Sequence, residues 1–334
     1  MYERRLRSRP QMSTCVIFGG AGYIGTHLAT HLLATAQFDR IHIADINRPA
    51  RAVEDVTASI TDVREPIPPT LIPERPAWIF NFAAVHREPG HEAHEYFDTN
   101  LAGARNVCAY ADAIGCENIY FTSSISVYGP TKGPTPENAR ICPTSPYGGS
   151  KYPAELIHEG WLTRGPGRRL VICRPGVVYG PGDPGNMLRM IKAIRRGYFA
   201  YPGSPRVYKS YAYIHGMLES IDFVMQREER LIVYNYVESP TEPLGELVSQ
   251  TKTVLGSRAP VLRIPMGLLS PAAALSQFVL PGTNNPIHPV RVRKAAMSTH
   301  IVPDVLRQMG FEFRYPFLRS LEHWRSIAPQ DFEA

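Results

Sequence analysis

The sequence predicts an α/β protein built on a doubly wound parallel sheet, with a smaller α/β lobe at its C-terminal end. Three observations predict it. Five short, continuous apolar runs rich in Val, Ile and Phe occur in the first half, the pattern of strands buried on both faces. Segments with apolar residues at helical spacing lie between them, and alternating strand and helix with right-handed crossovers gives a parallel sheet covered on both sides. A glycine-rich turn joins the first strand to the first helix, where such a sheet places its ligand.

The elements follow in order. "CVIFGG" is the first strand, and "YIGTHLATHLLATA" is the helix that returns over the sheet. "RIHIADI" and "AWIFNFAA" are the next two strands. "NLAGARNVCAYADAIG" reads as a helix starting near Asn100 and closed by Gly115 as its C-cap. After the strand "NIYFTSS", Pro146 suits a first helical position that Thr144 or Ser145 can cap, so "YGGSK" lies in the first turns of a helix. "RLVICRPGVVYG" reads as the fifth strand. From about Gly182 the pieces become shorter, with frequent Pro and Gly, although "RLIVYNYVES" resembles one more strand of the main sheet. The expected organisation is a flexible tail over 1–12, a dinucleotide-binding domain over 13–182 with a returning segment near 211–238, and a substrate lobe over 183–210 and 239–327.

Size and composition narrow the function. A chain of 334 residues, 44% hydrophobic, can fill a sizeable core without staples. Its five cysteines form no CxxC pair and are odd in number, so no disulfide framework or zinc site is readable, and a reducing cytoplasm fits best. The basic start "MYERRLRSRPQ" lacks an apolar run behind it and reads as a tail rather than an export signal. "MGLLSPAAALSQFVLPG", from Met266, is short for a membrane span and interrupted by Pro271. It reads as a buried or interfacial helix, with loose membrane contact as the alternative. The net charge of +6 comes from scattered arginines rather than a stripe interleaved with aromatics, which argues against nucleic acid; an anionic small substrate explains it equally well.

In "VIFGGAGYIGTHL", Gly20, Gly22 and Gly25 satisfy G-x-G-x-x-G, while Gly19, Gly22 and Gly25 satisfy the related G-x-x-G-x-x-G. Small residues let the backbone turn tightly toward a pyrophosphate, whose charge then meets the unpaired N–H groups of the helix start. Asp45 closes the second strand, where a carboxylate accepts from the 2′-OH of an adenosine ribose and repels a 2′-phosphate. NAD is therefore favoured over NADP, with Arg48 nearby to soften the preference.

Tyr147 and Lys151, four residues apart on one helix face, carry the chemistry. A cation beside a phenol stabilises the phenolate, and bringing a tyrosine from about 10 to about 7 takes roughly 4 kcal/mol, within reach of a lysine and a cofactor cation together. Tyr147 would then act as a general base. "FTSSISVYG" leaves a strand at its carboxyl end, so Ser123, Ser124 and Ser126 can offer hydroxyls to a substrate oxygen.

These motifs in this order resemble the extended short-chain dehydrogenase/reductase family, and within it the NAD-dependent sugar-nucleotide epimerase and dehydratase group, from about Ser13 to Trp324. The match is carried by "GGAGYIG", Asp45, the Asp62–Val63 pair, "NFAA" at 81–84, Asn100, "SSISVYG", "YGGSK" and "RPGVVYGPGD". The resemblance implies a catalytic Ser124, Tyr147 and Lys151, the serine holding the reacting oxygen, the tyrosine exchanging its proton and the lysine holding the nicotinamide ribose. It implies cofactor contacts from Gly19, Gly22, Tyr23, Ile24, Gly25, Asp45, Asp62, Val63, Phe82, Ala83, Ala84, His86 and Asn100, besides Tyr147 and Lys151. It implies substrate contacts from Ser124, Ser126, Asn186, Lys209 and either Arg291 or Arg293, a nucleoside-diphosphate sugar as substrate, no metal, and a homodimer through the helices starting near Asn100 and Tyr147.

Family dehydratases place an Asp and a Glu directly after the triad Ser or Thr, and Ile125 and Ser126 stand there instead, so elimination of water is disfavoured. C4 epimerisation through a 4-keto intermediate is the leading expectation. A net reductase or dehydrogenase of a 4-keto sugar nucleotide or another secondary alcohol is the alternative, and a dinucleotide-binding sensor without turnover is a third. Val177 replaces the asparagine, and Lys209 the arginine, common in sugar-nucleotide enzymes, and His86 lies where some epimerases carry a lysine; these departures bear on the substrate rather than the cofactor.

Overall fold

Every residue of β1 (Thr14–Phe18) is buried, and alternate side chains face opposite cores: Cys15 and Ile17 one, Val16 and Phe18 the other. That two-sided burial is why the run is continuously apolar. The computed structural model describes residues 13–49, 55–183, 185–279, 285 and 287–333. The expected tail over 1–12 lies outside them.

After β1 come α1 (Tyr23–Ala34), β2 (Arg40–Asp45), β3 (Val56–Ile60), β4 (Trp78–Asn81), α2 (Ala93–Ile114), β5 (Asn118–Thr122), α3 (Pro146–Thr163) and β6 (Arg169–Pro175). The chain continues with β7 (Val177–Tyr179), α4 (Asn186–Arg195), β8 (Ala200–Pro202), β9 (Tyr211–Tyr213), α5 (Ile214–Met225) and β10 (Leu231–Tyr236). It ends with α6 (Leu244–Leu255), β11 (Leu262–Ile264), α7 (Met266–Val279), α8 (Pro289–Ala296), α9 (Asp304–Gln308), α10 (Phe317–Ile327) and α11 (Gln330–Glu333).

The main sheet has seven parallel strands in the order β10-β6-β5-β4-β1-β2-β3. The order reverses direction at β1, so a crevice opens beyond the carboxyl ends of β1 and β4. One face is covered by α2 and α3 through Val107, Ala111, Ala154 and Trp161. Leu28 and Leu32 of α1, with apolar side chains of α4, α5, α6 and α10, cover the other. Beneath the site, Glu155 of α3 and Arg174 of β6 form a buried ion pair at 2.6 Å, and Arg174 also donates to the Tyr128 hydroxyl at 2.8 Å. A buried pair of this kind is costly to break from one side, and here it ties α3 to the sheet.

Four expectations are corrected. "RLVICRPGVVYG" is two strands, because the Gly176 N–H still donates to Tyr236 while that of Val177 turns to Ser210, sending β7 into a two-stranded pairing with β9. α2 starts at Ala93 rather than near Asn100, because Glu92 and Glu95 form a reciprocal capping box ahead of it. β3, half-exposed at the sheet edge, has no apolar run to announce it. α7 is not a buried helix: Ala273 alone is buried among its described side chains.

Candidate active site

The glycine turn is shaped by close approach. Gly19 has φ +73°, and a Cβ there would lie 2.5 Å from the Ala83 nitrogen, so only glycine lets this turn sit against the end of β4. Gly22 is the N-cap of α1 with no side-chain cap, and Tyr23, Ile24 and Gly25 form the first turn, leaving the helix start open to an anion. Asp45 accepts from the N–H groups of Ala21 at 3.1 Å and Asn47 at 2.9 Å, which fixes its carboxylate beside the turn. The crevice fits a dinucleotide for a further reason. The hydroxyls of Thr122 and Ser123 and the carbonyl oxygen of the Asn81 side chain, at the ends of the paired strands β4 and β5, are buried without a partner among the described residues. Buried polar atoms of this kind are usually matched, and a ligand in the crevice would match these.

The remaining cofactor candidates line the same crevice or brace it. Phe82, Ala83 and Ala84 are the half-buried continuation of β4. Val63 is buried under α2, and its carbonyl accepts from Asn106 at 2.8 Å, while Asp62 is paired with Arg64, which holds its carboxyl below the usual range. Asn100 accepts from the Val85 N–H at 3.0 Å and donates to Ser150 at 2.7 Å, and Ser150 in turn donates to the Tyr147 carbonyl. It therefore braces the catalytic helix against the loop after β4. His86 stands exposed at the mouth, near enough to Lys151 to sense its charge.

Two of the three expected catalytic residues, Ser124 and Tyr147, meet at the end of β5, and Lys151 lies one helical turn on over Phe121. Ser145 caps α3 by accepting from Gly148 N–H at 3.3 Å, with Pro146 at the first helical position, as the sequence leads one to expect. Ser124 caps the short turn that follows β5, accepting from the Ser126 N–H and donating to the Ser126 hydroxyl, both at 3.1 Å. A Cβ on Gly148 would lie 2.3 Å from the Ser126 carbonyl oxygen, so this glycine lets α3 press against the serine turn. Tyr147 and Ser124 are thereby neighbours, and the serine hydroxyl favours the phenolate.

Electrostatically the trio differs from expectation. Burial pushes the Tyr147 phenol up to about 12, with Glu88 adding to the rise and Ser124 opposing it. Lys151 is 2% exposed, lies 4.3 Å from the centre of the Phe121 ring, and is driven down to about 7 by burial, with Glu155 one turn on resisting the change. In the cofactor-free protein, desolvation is the largest effect on both because it penalises the charged form of each, and the charges acting beside it are Glu88 on Tyr147 and Glu155 on Lys151 rather than each other.

On the substrate side, Asn186 opens α4 and accepts from Arg189 at 3.0 Å. Arg291 on α8 lies close to Arg189; partial burial and then that second charge lower its pKa. Neither guanidinium has a carboxylate at ion-pairing distance among the described residues, so both charges are available to an anion. Arg189 escaped the sequence reading, its only signal being one helical turn's spacing from Asn186. The Lys209 ammonium donates to the carbonyls of Lys294 at 2.8 Å and Met297 at 2.5 Å, closing the end of α8; Arg293 is exposed on that helix. No group of three or more metal-ligating side chains is found among the described residues.

Known proteins resemble the chain over most of its length. Residues 15–236 match the NAD dependent epimerase/dehydratase family. The chain is 30% identical over 311 residues to an Escherichia coli O157:H7 protein named N-acetyl-alpha-D-glucosaminyl-diphospho-ditrans,octacis-undecaprenol 4-epimerase, covering 92% of each. Among solved structures, MoeE5 with UDP-glucuronic acid and NAD superimposes with a TM-score of 0.74 at 21% identity, over 94% of this chain and 99% of that one. The Bacillus cereus UDP-glucuronic acid 4-epimerase does so at 0.73 and 18%, over 95% and 99%. The chain belongs to the NAD-dependent epimerase/dehydratase family, within the extended short-chain dehydrogenases.

Proposed function

We propose that the protein inverts C4 of a hexose carried on a diphosphate, a nucleoside diphosphate in the simplest case, through a 4-keto intermediate. The contact of Ser124 with Tyr147 at the end of β5, with Lys151 buried one helical turn on, carries the reading. Gly19, Gly22, Tyr23, Ile24, Gly25 and Asp45 would hold NAD, which when bound supplies a two-electron acceptor that returns the hydride it takes. Tyr147 as phenolate removes the C4 hydroxyl proton, and Ser124 holds that oxygen while it is a carbonyl. Lys151 orients the nicotinamide ribose and, once a cofactor cation is near, favours the phenolate. After the keto sugar presents its other face, the same tyrosine returns the proton, so no net oxidant is consumed. Asn186, Arg189 and Arg291 would grip the diphosphate.

Ile125 and Ser126 offer no acid for dehydration, and a relative that aligns over 92% of each chain is named a 4-epimerase of a diphosphate-linked sugar. A homodimer through α2 and α3 and a cytoplasmic setting complete the proposal. Exposed Phe97 and Leu156 and the free cysteines support these two points. The test is incubation of purified protein with UDP-N-acetylglucosamine or UDP-glucose, followed by NMR of the anomeric signals. The expected outcome is the galacto epimer without added cofactor; consumption of added NADH with net reduction would replace this reading with a reductase.

A further inference from the structure

The segment from β11 to α8 is unlike the rest of the surface. From Leu247 to Val302 the sequence has no Asp or Glu, yet it carries Lys252, Arg258, Arg263, Arg291, Arg293 and Lys294. Part of that segment, β11 and α7, exposes apolar side chains: Leu262 is 70% exposed, Leu268 69% and Leu275 65%. Leu268, Pro271, Ala272 and Leu275 share one face of α7, and all are exposed. Arg263, Arg258 and Arg293 are exposed along the edges, and beside β11 an open pocket of about 700 Å³ continues the cationic rim through Lys252 and Arg258. A helix that holds leucines in water, bordered by cations and free of carboxylates, is complementary to a surface that is apolar within and anionic at its boundary.

This face is also joined to the active site. α7 packs on α8, which carries Arg291 and pairs Lys294 with Glu88, and Glu88 is one of the charges felt by Tyr147. Resting on the C4-epimerase reading above, we propose that β11, α7 and α8 dock the protein on an anionic lipid bilayer, and that the sugar diphosphate it inverts is carried by a polyprenyl lipid of that bilayer. The diphosphate would lie at the headgroup level, within reach of Arg189 and Arg291, with the chain left in the membrane.

The experiment uses the full chain with vesicles of phosphatidylglycerol and phosphatidylethanolamine, against vesicles of phosphatidylcholine alone. The protein is expected to sediment with the anionic vesicles and to be partly released by salt. The double variant Leu268→Glu, Leu275→Glu should bind at least about 10-fold more weakly. It should retain its NAD and its rate on a water-soluble short-prenyl diphosphate N-acetylhexosamine, and lose rate on the long-chain lipid in vesicles. If that variant unfolds, Arg258→Glu with Arg263→Glu makes the same comparison. No sedimentation of the wild type, equal sedimentation of both variants, or dissociation of an oligomer by the leucine substitutions with no effect on vesicle binding would overturn the proposal. Failure of the epimerase reading is separately visible, as absence of turnover of both the soluble prenyl analogue and UDP-sugars whether or not the protein binds vesicles.

Discussion

At the residue scale, Tyr147 and Lys151 answer to different measurements. Tyr147→Phe deletes one hydroxyl and should lower epimerisation by roughly 10²–10⁴-fold with NAD content unchanged, since the base is lost and the crevice is not. Wild-type turnover in that variant would remove the tyrosine from the reaction. For Lys151 the informative readout is stability. Its pKa falls from 10.5 to about 7 on folding, so between those values the unfolded chain binds the extra proton and unfolding takes it up. The stability contributed by this group therefore rises with pH across that window, and below about 7 the full cost of a buried ammonium is carried. Lys151→Met should make the cofactor-free protein more stable near pH 6.5 by roughly 1–4 kcal/mol and flatten the slope toward about pH 9.5, while abolishing activity. Chemical denaturation at the two pH values decides it, and a destabilised Met variant would show that the ammonium has partners that outweigh its burial.

At the element scale, the proposed activity depends on the joint between α3 and the serine turn. Gly148→Ala places a methyl 2.3 Å from the Ser126 carbonyl oxygen, and backbone has to move to admit it. Stability should fall by about 1–3 kcal/mol and turnover by more than 10-fold, because Ser124 and Tyr147 ride on the two elements being pushed apart. A variant with wild-type kinetics would mean that the contact is slack. "YGGSK" shows that glycine, but its purpose depends on a contact with a residue 22 positions away, which periodicity does not reveal. What was legible follows the same division. β1, β2, β4, β5 and the first part of β6 are buried on both faces and so declare themselves by composition, and the turn at 19–25 by its glycines. β3 is an exposed edge without an apolar run, the first seven residues of α2 depend on a Glu92–Glu95 cap, and Gly176 redirects the chain by a long-range choice between Tyr236 and Ser210. Asp45, Tyr147 and Lys151 are fixed by local spacing, whereas the neighbourhood of Arg189 and Arg291, on two helices far apart in sequence, exists only in the folded chain.

At the scale of the whole molecule, the outer surface of α2 and α3 has the dimensions of an interface. The helices contain 22 and 18 residues, so side by side they present a face about 30 Å long and roughly 20 Å wide, close to what one partner contributes to a standard interface. Leu156 is 47% exposed there, and Phe97 lies over Gly149 at the seam between the helices, still 38% exposed. Gly160 meets nothing within 4 Å of an added Cβ, so this stripe is both open and small enough for helices of a second copy to approach. Four helices packed in this way would put each catalytic helix against its counterpart and stiffen the turn that carries Tyr147. Leu156→Arg should halve the mass measured by light scattering and leave NAD bound. Because Leu156 points away from Lys151 and Tyr147, turnover should fall only as far as α3 loses support, by a few-fold rather than by orders of magnitude. A wild-type mass that is monomeric at every concentration would place the support for α3 entirely within one chain, in the Glu155–Arg174 pair and the Asn100–Ser150 contact.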